Sequence, residues 1–437
     1  MSDAGQLSRR SFLRSGTAAA AATALGAGKT MGQEAGATAR IGIVGVGSRG
    51  THLLRTMLQF PGVQVPAVCD IVASHAKRAQ DIVEKATGTR PEPYTNGERD
   101  WERLIARDDL DAVVAATPWE WHTPIMVGSM RAGKIGGTEV PAALTVEECW
   151  ELVRTFEETG VPCMMLENLC YFSNALALLR MVREGVFGEL LHAEAGYQHD
   201  CRYLMFRNDG TLTWRGKHAA ASNGNLYPTH PIGPVAQWFN INRGDRFTTL
   251  SSVSSKAVGL KRYAAAKFGK DHPLATREYA LGDVNTCLLQ TEAGLTVTLY
   301  FDLNTPRPYD LILRLQGTNG IHMGGKIHLE GKSPKAHTYE PFATYANQYA
   351  HPLWAELQQA ARKHGGHGGS DYVMMYDFLK AVKNRTPFPQ DVYDAATWSV
   401  ITPLSMASVA RGGQVVDFPD FTQGAWKTRP PLPIYGA

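Results

Sequence analysis

Gly45-Val46-Gly47-Ser48-Arg49-Gly50 follows directly on the apolar run Ile41-Gly42-Ile43-Val44, and an aspartate, Asp70, stands 20 positions after the last of these glycines. Gly45 permits a tight turn, Gly47 lets the backbone approach a pyrophosphate, and Gly50 allows the following helix to pack closely on the strand. Asp70 ends a second apolar run, residues 63–69. Its carboxylate suits the hydroxyls of an adenosine ribose and repels a phosphate on the same ring, which favours NAD over NADP. The chemistry this spacing points to is dinucleotide binding; the competing use of Asp70 is to cap the next helix.

Other polar side chains gather where apolar runs end. Thr117-Pro118-Trp119-Glu120-Trp121-His122 follows residues 111–116. Ligands of open α/β sheets bind beyond the carboxyl ends of the strands, so Trp119 and His122 are placed to line the nicotinamide half of a cleft, although His122 equally suits a cap or a packing position. Glu139-Val140-Pro141 follows residues 134–138, and Glu167-Asn168 follows residues 161–166. Glu167 closes the more apolar run and is expected to be partly desolvated. Tyr197 and His199 share one face of a predicted strand, where they either pack or act. Asn225-Leu226-Tyr227-Pro228-Thr229-His230-Pro231 has too little apolar content for a core segment. Its prolines suit a segment that must present Tyr227 and His230 accurately. Histidine and tyrosine move protons near neutral pH more readily than a solvated carboxylate does.

These side chains need a scaffold, and the pattern supplies two. From Arg40 short β runs alternate with helical stretches, as in a parallel sheet covered on both faces. Past Asn168 a helix over residues 174–183 precedes longer alternating strands at 190–197, 248–258, 284–291, 295–302 and 311–315, which predict a mostly antiparallel open sheet. The fold class is therefore α/β: a Rossmann domain at 39–168 and a C-terminal α+β domain at 169–437. Gly365-Gly366-His367-Gly368-Gly369 reads as a loop between them and a further helix.

With 437 residues, 44% of them apolar, the chain is long enough for two cores. A net charge of +3 without a block of like charges argues against nucleic acid as a partner. Six cysteines lack any C-x-x-C spacing and read as buried thiols, so no disulfide frame and no metal site is expected. Residues 1–38 form a separate segment, in which Ser8-Arg9-Arg10-Ser11-Phe12-Leu13-Arg14 precedes an alanine-rich run, the order of a twin-arginine export signal. That run is too short to span a bilayer, and no cysteine follows to carry a lipid anchor. Export to the periplasm or beyond, as a folded protein, carries a bound cofactor away from any replenishing pool. A tightly bound NAD recycled within each turnover resolves that conflict.

The glycine turn, the Thr117 to His122 segment and Glu139-Val140-Pro141 resemble the Gfo/Idh/MocA oxidoreductase superfamily. Members that act as dehydrogenases carry Glu-Lys-Pro where this chain has Val140. Trp119-Glu120-Trp121-His122, Glu139-Val140-Pro141-Ala142, Met165-Leu166-Glu167-Asn168 and Tyr227-Pro228-Thr229-His230 together resemble glycoside hydrolase family 109, the NAD-dependent branch with α-N-acetylgalactosaminidase activity. The resemblance runs from about Arg40 to the carboxyl end. It implies that Ser48, Arg49 and the glycines of the turn, with Asp70, Trp119, His122, Glu139, Val140 and Asn168, hold the cofactor. It also implies a sugar pocket of Tyr197, Arg215, Tyr227, His230 and Tyr309, with His199 as a nearby partner. The implied chemistry is transient oxidation at C3 of a terminal α-N-acetylgalactosamine, elimination across C1 and C2, water addition and re-reduction. His230 is then the leading base, Tyr227 and Tyr197 polarise or relay protons, and Glu167 orients the nicotinamide or a sugar hydroxyl. The competing readings are a sugar dehydrogenase or glucose-fructose-type oxidoreductase, and a noncatalytic carbohydrate-binding protein. A small-molecule or glycan substrate and a homodimer complete the expectations.

Overall fold

Apolar runs without alternation belong in a sheet covered on both faces, and the first third of the chain builds one. The computed structural model describes residues 38–436, so the export signal lies outside the described residues. Strands β1 (Ala39–Val44), β2 (Val63–Cys69), β3 (Glu92–Tyr94), β4 (Ala112–Ala115), β5 (Ile135–Thr138) and β6 (Cys163–Met165) pair in the order β3-β2-β1-β4-β5-β6. All five pairings are parallel. This order reverses direction between β1 and β4, which opens a crevice at their carboxyl ends. The glycine turn leaves β1 there, and the Thr117 to His122 segment leaves β4 beside it.

The second sheet has nine strands. To β7 (Leu190–Gln198), β8 (Phe247–Ser254), β9 (Asn285–Thr291) and β10 (Thr296–Asp302) it adds β11 (Arg314–Gly317), β12 (Gly320–Met323), β13 (Lys326–Leu329), β14 (Glu340–Pro341) and β15 (Val416–Asp417). The order is β14-β13-β12-β11-β7-β10-β9-β8-β15. Every pairing is antiparallel except the central one, where β10 runs parallel to β7. Alternation marks the covered face: Val297, Leu299 and Phe301 are buried on β10, while Leu288 on the neighbouring β9 is exposed. Two strands of this sheet differ from their predicted bounds by more than one residue. The run at 248–258 stops at Ser254 because the chain leaves for the helix Gly259–Phe268. The run at 311–315 starts only at Arg314: Asp310 Oδ1 accepts the Ile312 amide at 2.8 Å, and Ile312 and Leu313 take positive φ, which lifts them out of the ladder.

The C-terminal helices do not stay with the second sheet. Ser370–Asn384 packs on the helix Ser48–Met57 and on β1, and Val392–Ser399 packs on Val146–Thr159 and β6. Gly137 of β5 makes the contact close, since a Cβ there would lie 2.7 Å from the Phe378 ring. Residues distant in sequence thus supply part of the cover of the first sheet and reach the crevice. All six cysteines are buried and unbridged. Among the described residues no helix is long and apolar enough to cross a membrane.

Candidate active site

The crevice between β1 and β4 opens into a cleft of about 940 Å³. Gly45 enters the turn at φ +82°, and a Cβ on Gly50 would lie 1.8 Å from the Gly45 carbonyl oxygen, so neither position accepts a side chain without rebuilding the turn. At Gly47 a Cβ would meet no atom of the chain within 4 Å, and the residue borders the cleft. The bare backbone there is open to a ligand. Asp70 is aimed by two amides: Val46 N donates to Oδ2 at 2.9 Å and Val72 N donates to Oδ1 at 2.8 Å. The helix Ala73–Thr87 is preceded by Val72, so Asp70 borders the cleft instead of capping that helix directly. Bare glycine backbone at a helix start, an acid at the end of β2 and a cleft of this volume fit NAD.

Three expected cofactor residues also make close contacts within the chain, and two of them, Arg49 and His122, border the cleft. His122 borders the cleft, yet both ring nitrogens face backbone carbonyls, Nδ1 that of Pro141 at 2.7 Å and Nε2 that of Thr117 at 3.0 Å. Burial holds its pKa below the ordinary histidine value, so the neutral ring donates to one of these carbonyls at a time. Arg49 points its Nε at Glu139 (2.7 Å) and its two Nη atoms at Asp371 (2.8 and 3.0 Å), which occupies the guanidinium with carboxylates. Asn168 is buried and donates from Nδ2 to Asp371 Oδ1 at 2.8 Å. Trp119, Glu139, Val140 and Ser48 do border the cleft, as expected.

At the other end Tyr227 joins the cleft to an aromatic cluster. Its ring lies 5.0 Å from that of Tyr197 and 4.8 Å from that of His230, and Tyr197 lies 4.9 Å from His230. Tyr309 is 45% exposed, but its ring closes on Tyr197 (6.1 Å) and on His199 (5.1 Å). Arg215 stacks over Trp214 at 4.1 Å and faces Trp119 at 5.8 Å. The Tyr197 and His199 rings approach with centroids 6.3 Å apart, although β7 ends at Gln198 and His199 lies just beyond it. Burial raises the phenol pKa of Tyr197, Tyr227 and Tyr309 above the ordinary value, so each remains a neutral hydroxyl at physiological pH.

His230 Nδ1 lies 2.7 and 2.9 Å from the two oxygens of Glu167, whose side chain is fully buried. Glu167 Oε1 also accepts the Leu169 amide at 3.0 Å. A Cβ on Gly233 would come within 3.1 Å of Glu167 Cγ, so this glycine lets the histidine's helix approach the carboxylate. Glu167, expected to orient the nicotinamide or a sugar hydroxyl, is paired with His230. The polar segment around His230 is also not a surface segment. Asn225, Leu226, Tyr227, Thr229 and His230 are buried, and Thr229–Trp238 forms a helix covered all round. Hydrogen bonds offset the low apolar content: the Tyr227 amide donates to Asn225 Oδ1 at 3.2 Å and the Asn225 amide donates to Ser405 Oγ at 2.8 Å.

Sequence reading missed Asp371, His52 and His367. Asp371 is a fully buried carboxylate joined to Arg49, His52, Asn168 and His367. The available signal was a histidine inside the glycine run four positions before an aspartate at a helix start.

Residues 39–167 match the oxidoreductase family with an NAD-binding Rossmann fold, and residues 171–428 match the C-terminal domain of glycosyl hydrolase 109. The chain belongs to glycosyl hydrolase family 109. It is a glycoside hydrolase whose first domain binds NAD. This family 109 chain is 44% identical over 414 residues to the alpha-N-acetylgalactosaminidase of Tannerella forsythia, covering 90% of this chain and 88% of that protein. It is 41% identical to a glycosyl hydrolase family 109 protein of Stenotrophomonas maltophilia, covering 98% of both chains. Among solved structures, levoglucosan dehydrogenase in complex with NADH and L-sorbose superposes with a TM-score of 0.67 at 20% identity, covering 88% of this chain and all of that one, which shows a shared fold. Residues 6–26 match a twin-arginine translocation signal, which directs this family 109 enzyme out of the cytoplasm.

Proposed function

We propose that the enzyme hydrolyses terminal α-N-acetylgalactosaminides by transient oxidation at C3, elimination across C1 and C2, water addition and re-reduction. The observation that carries this reading is the pairing of Glu167 with His230. The carboxylate beside the aromatic cluster is sealed behind a histidine, an arrangement unsuited to direct attack by paired carboxylates at the glycosidic bond. Val140, where dehydrogenases of the superfamily carry lysine, supports the same reading.

NAD, when bound, supplies a reversible hydride acceptor for the sugar. The chain itself handles protons. Glu167 accepts Nδ1–H of His230, which leaves Nε2 as the basic nitrogen for the C3 hydroxyl proton. Tyr197 and Tyr227, held neutral by burial, donate hydrogen bonds to the developing carbonyl and to the departing C1 oxygen. Arg215, flattened on Trp214, and Tyr309 at the open edge hold the sugar. His199, with Nδ1 at 3.1 Å from Cys201 Sγ, supports Tyr309. A homodimer is part of this proposal; the face of the second sheet that exposes Val253 and Leu288 is its contact, and sedimentation velocity checks it.

The test is hydrolysis of an aryl α-N-acetylgalactosaminide in deuterated water without added NAD. Deuterium at C2 of the product with no net NADH is the expected result. Hydrolysis without C2 deuterium, or stoichiometric NADH, overturns the proposal.

A further inference from the structure

The densest set of contacts at the cleft converges on Asp371, in the first turn of the helix Ser370–Asn384. Its side chain is fully buried. Oδ2 accepts from Arg49 Nη1, His52 Nε2 and His367 Nδ1, each at 2.8 Å, and Oδ1 accepts from Arg49 Nη2 at 3.0 Å and Asn168 Nδ2 at 2.8 Å. Burial alone raises such a carboxyl; hydrogen bonds from His367 and His52 and the charge of Arg49 override it and keep the pKa well below the ordinary value. A buried carboxylate with five donors is a costly way to hold a fold together, and its donors come from separate parts of the chain around one cleft. Arg49 and His52 belong to the helix of the glycine turn, Asn168 follows β6, and His367 sits in the glycine run.

The glycine run is shaped to arrive there. His367, Gly368 and Gly369 take positive φ in succession, and Gly366 and His367 border the cleft with Gly47 and Ser48. A Cβ on Gly366 would lie 2.5 Å from His52 Nε2 and 2.7 Å from Asp371 Oδ2, so only glycine allows this approach. Asp371 and Glu139 take three of the five N–H groups of Arg49, and each histidine, itself bordering the cleft, keeps a second ring nitrogen, Nδ1 of His52 and Nε2 of His367.

We propose that residues 366–371 form a clasp that retains the dinucleotide, Asp371 positioning Arg49, His52 and His367 around the glycine turn so that His367 closes over its phosphates. The clasp rests on the cleft holding NAD. It makes the C-terminal segment, not the Rossmann domain alone, responsible for keeping the cofactor aboard during export and turnover.

Wild type, His367→Ala and Asp371→Asn are purified without added NAD. The NAD carried per chain is measured after denaturation, and reloaded protein is mixed with isotopically labelled NAD to follow exchange by mass spectrometry. The His367 side chain is half exposed, so its removal leaves the core intact even where Asp371→Asn does not fold. The expected result is NAD retained by wild type and exchange at least ~10-fold faster in His367→Ala, the equivalent of about 1.4 kcal/mol. Exchange within about twofold of wild type in folded His367→Ala, judged against that tenfold step, overturns the clasp. A wild-type chain that binds no NAD overturns the cofactor reading together with the clasp, so the two failures are distinguishable.

Discussion

Glu167 and His230, 63 positions apart in sequence, meet at 2.7 Å through a carboxylate oxygen and a ring nitrogen. Glu167 lies two residues past β6 of the first sheet, and His230 stands at the start of a buried helix in the second domain. The pair therefore joins the two domains behind Tyr227, which borders the cleft, and it fixes which histidine nitrogen is left for chemistry.

Glu167→Gln tests that arrangement. The amide oxygen still accepts the Leu169 amide, but an amide face offers His230 a donor where the carboxylate offered only acceptors. We expect kcat for an aryl α-N-acetylgalactosaminide to fall about 10²-fold or more, as when the orienting acid of a catalytic histidine is lost, with the protein still folded by circular dichroism. A loss of less than about threefold, small on that scale, refutes the orienting role.

Arg215→Ala removes a stacked cation from the sugar side and leaves the proton-transfer pair in place. Its signature is a KM raised by about 5- to 30-fold, from ~1–2 kcal/mol of lost contact, with kcat changed much less. Steady-state kinetics separate this from a catalytic role, which lowers kcat instead.

The two later glycines of the turn make opposite predictions. Gly50→Ala forces a Cβ to 1.8 Å from the Gly45 carbonyl oxygen and should destabilise the fold itself, by about 3 kcal/mol or more. Gly47→Val places its side chain where no chain atom stands within 4 Å. It should weaken NAD binding more than ~10-fold, measured by calorimetry, a cost of about 1.4 kcal/mol. Wild-type affinity in Gly47→Val contradicts close approach of the cofactor at this position.

Burial raises Asp377 from 3.8 to about 6 even with the Tyr435 hydroxyl hydrogen-bonded to its Oδ2 at 2.5 Å. The protonated acid is the form the fold favours, so its stabilising contribution is complete below the unfolded value near 4 and is lost as pH rises through about 6. Asp377→Asn imitates the protonated state. Chemical denaturation at pH 4 and pH 7 should show the variant gaining on wild type by up to about 3 kcal/mol at the higher pH. An equal difference at both pH values contradicts a raised carboxyl.

The glycine turn, Asp70 and the strand ends carrying Trp119, Glu139 and Glu167 were legible in the chain because each depends on neighbours within one strand-turn-helix unit. Apolar runs bounded by glycine or acid state where a strand ends, and in a parallel sheet every strand end faces the ligand side. The two-residue period brought Tyr197 and His199 to one side, and their rings do approach, but the strand ends between them at Gln198. Polarity misled at residues 225–231, since the backbone amides of Asn225 and Tyr227 find acceptors within the fold and composition does not report who meets them.

Only the tertiary structure gave Glu167 to His230, His122 to two backbone carbonyls, and Arg49 to Asp371 across 322 positions. Local patterning determined the two domains, the cofactor turn and the export signal because backbone sterics and apolar periodicity act over a few residues. The partners of buried charges were decided later, when helices from the end of the chain packed on the first sheet and the desolvated groups had to find opposite charge or hydrogen bonds within reach.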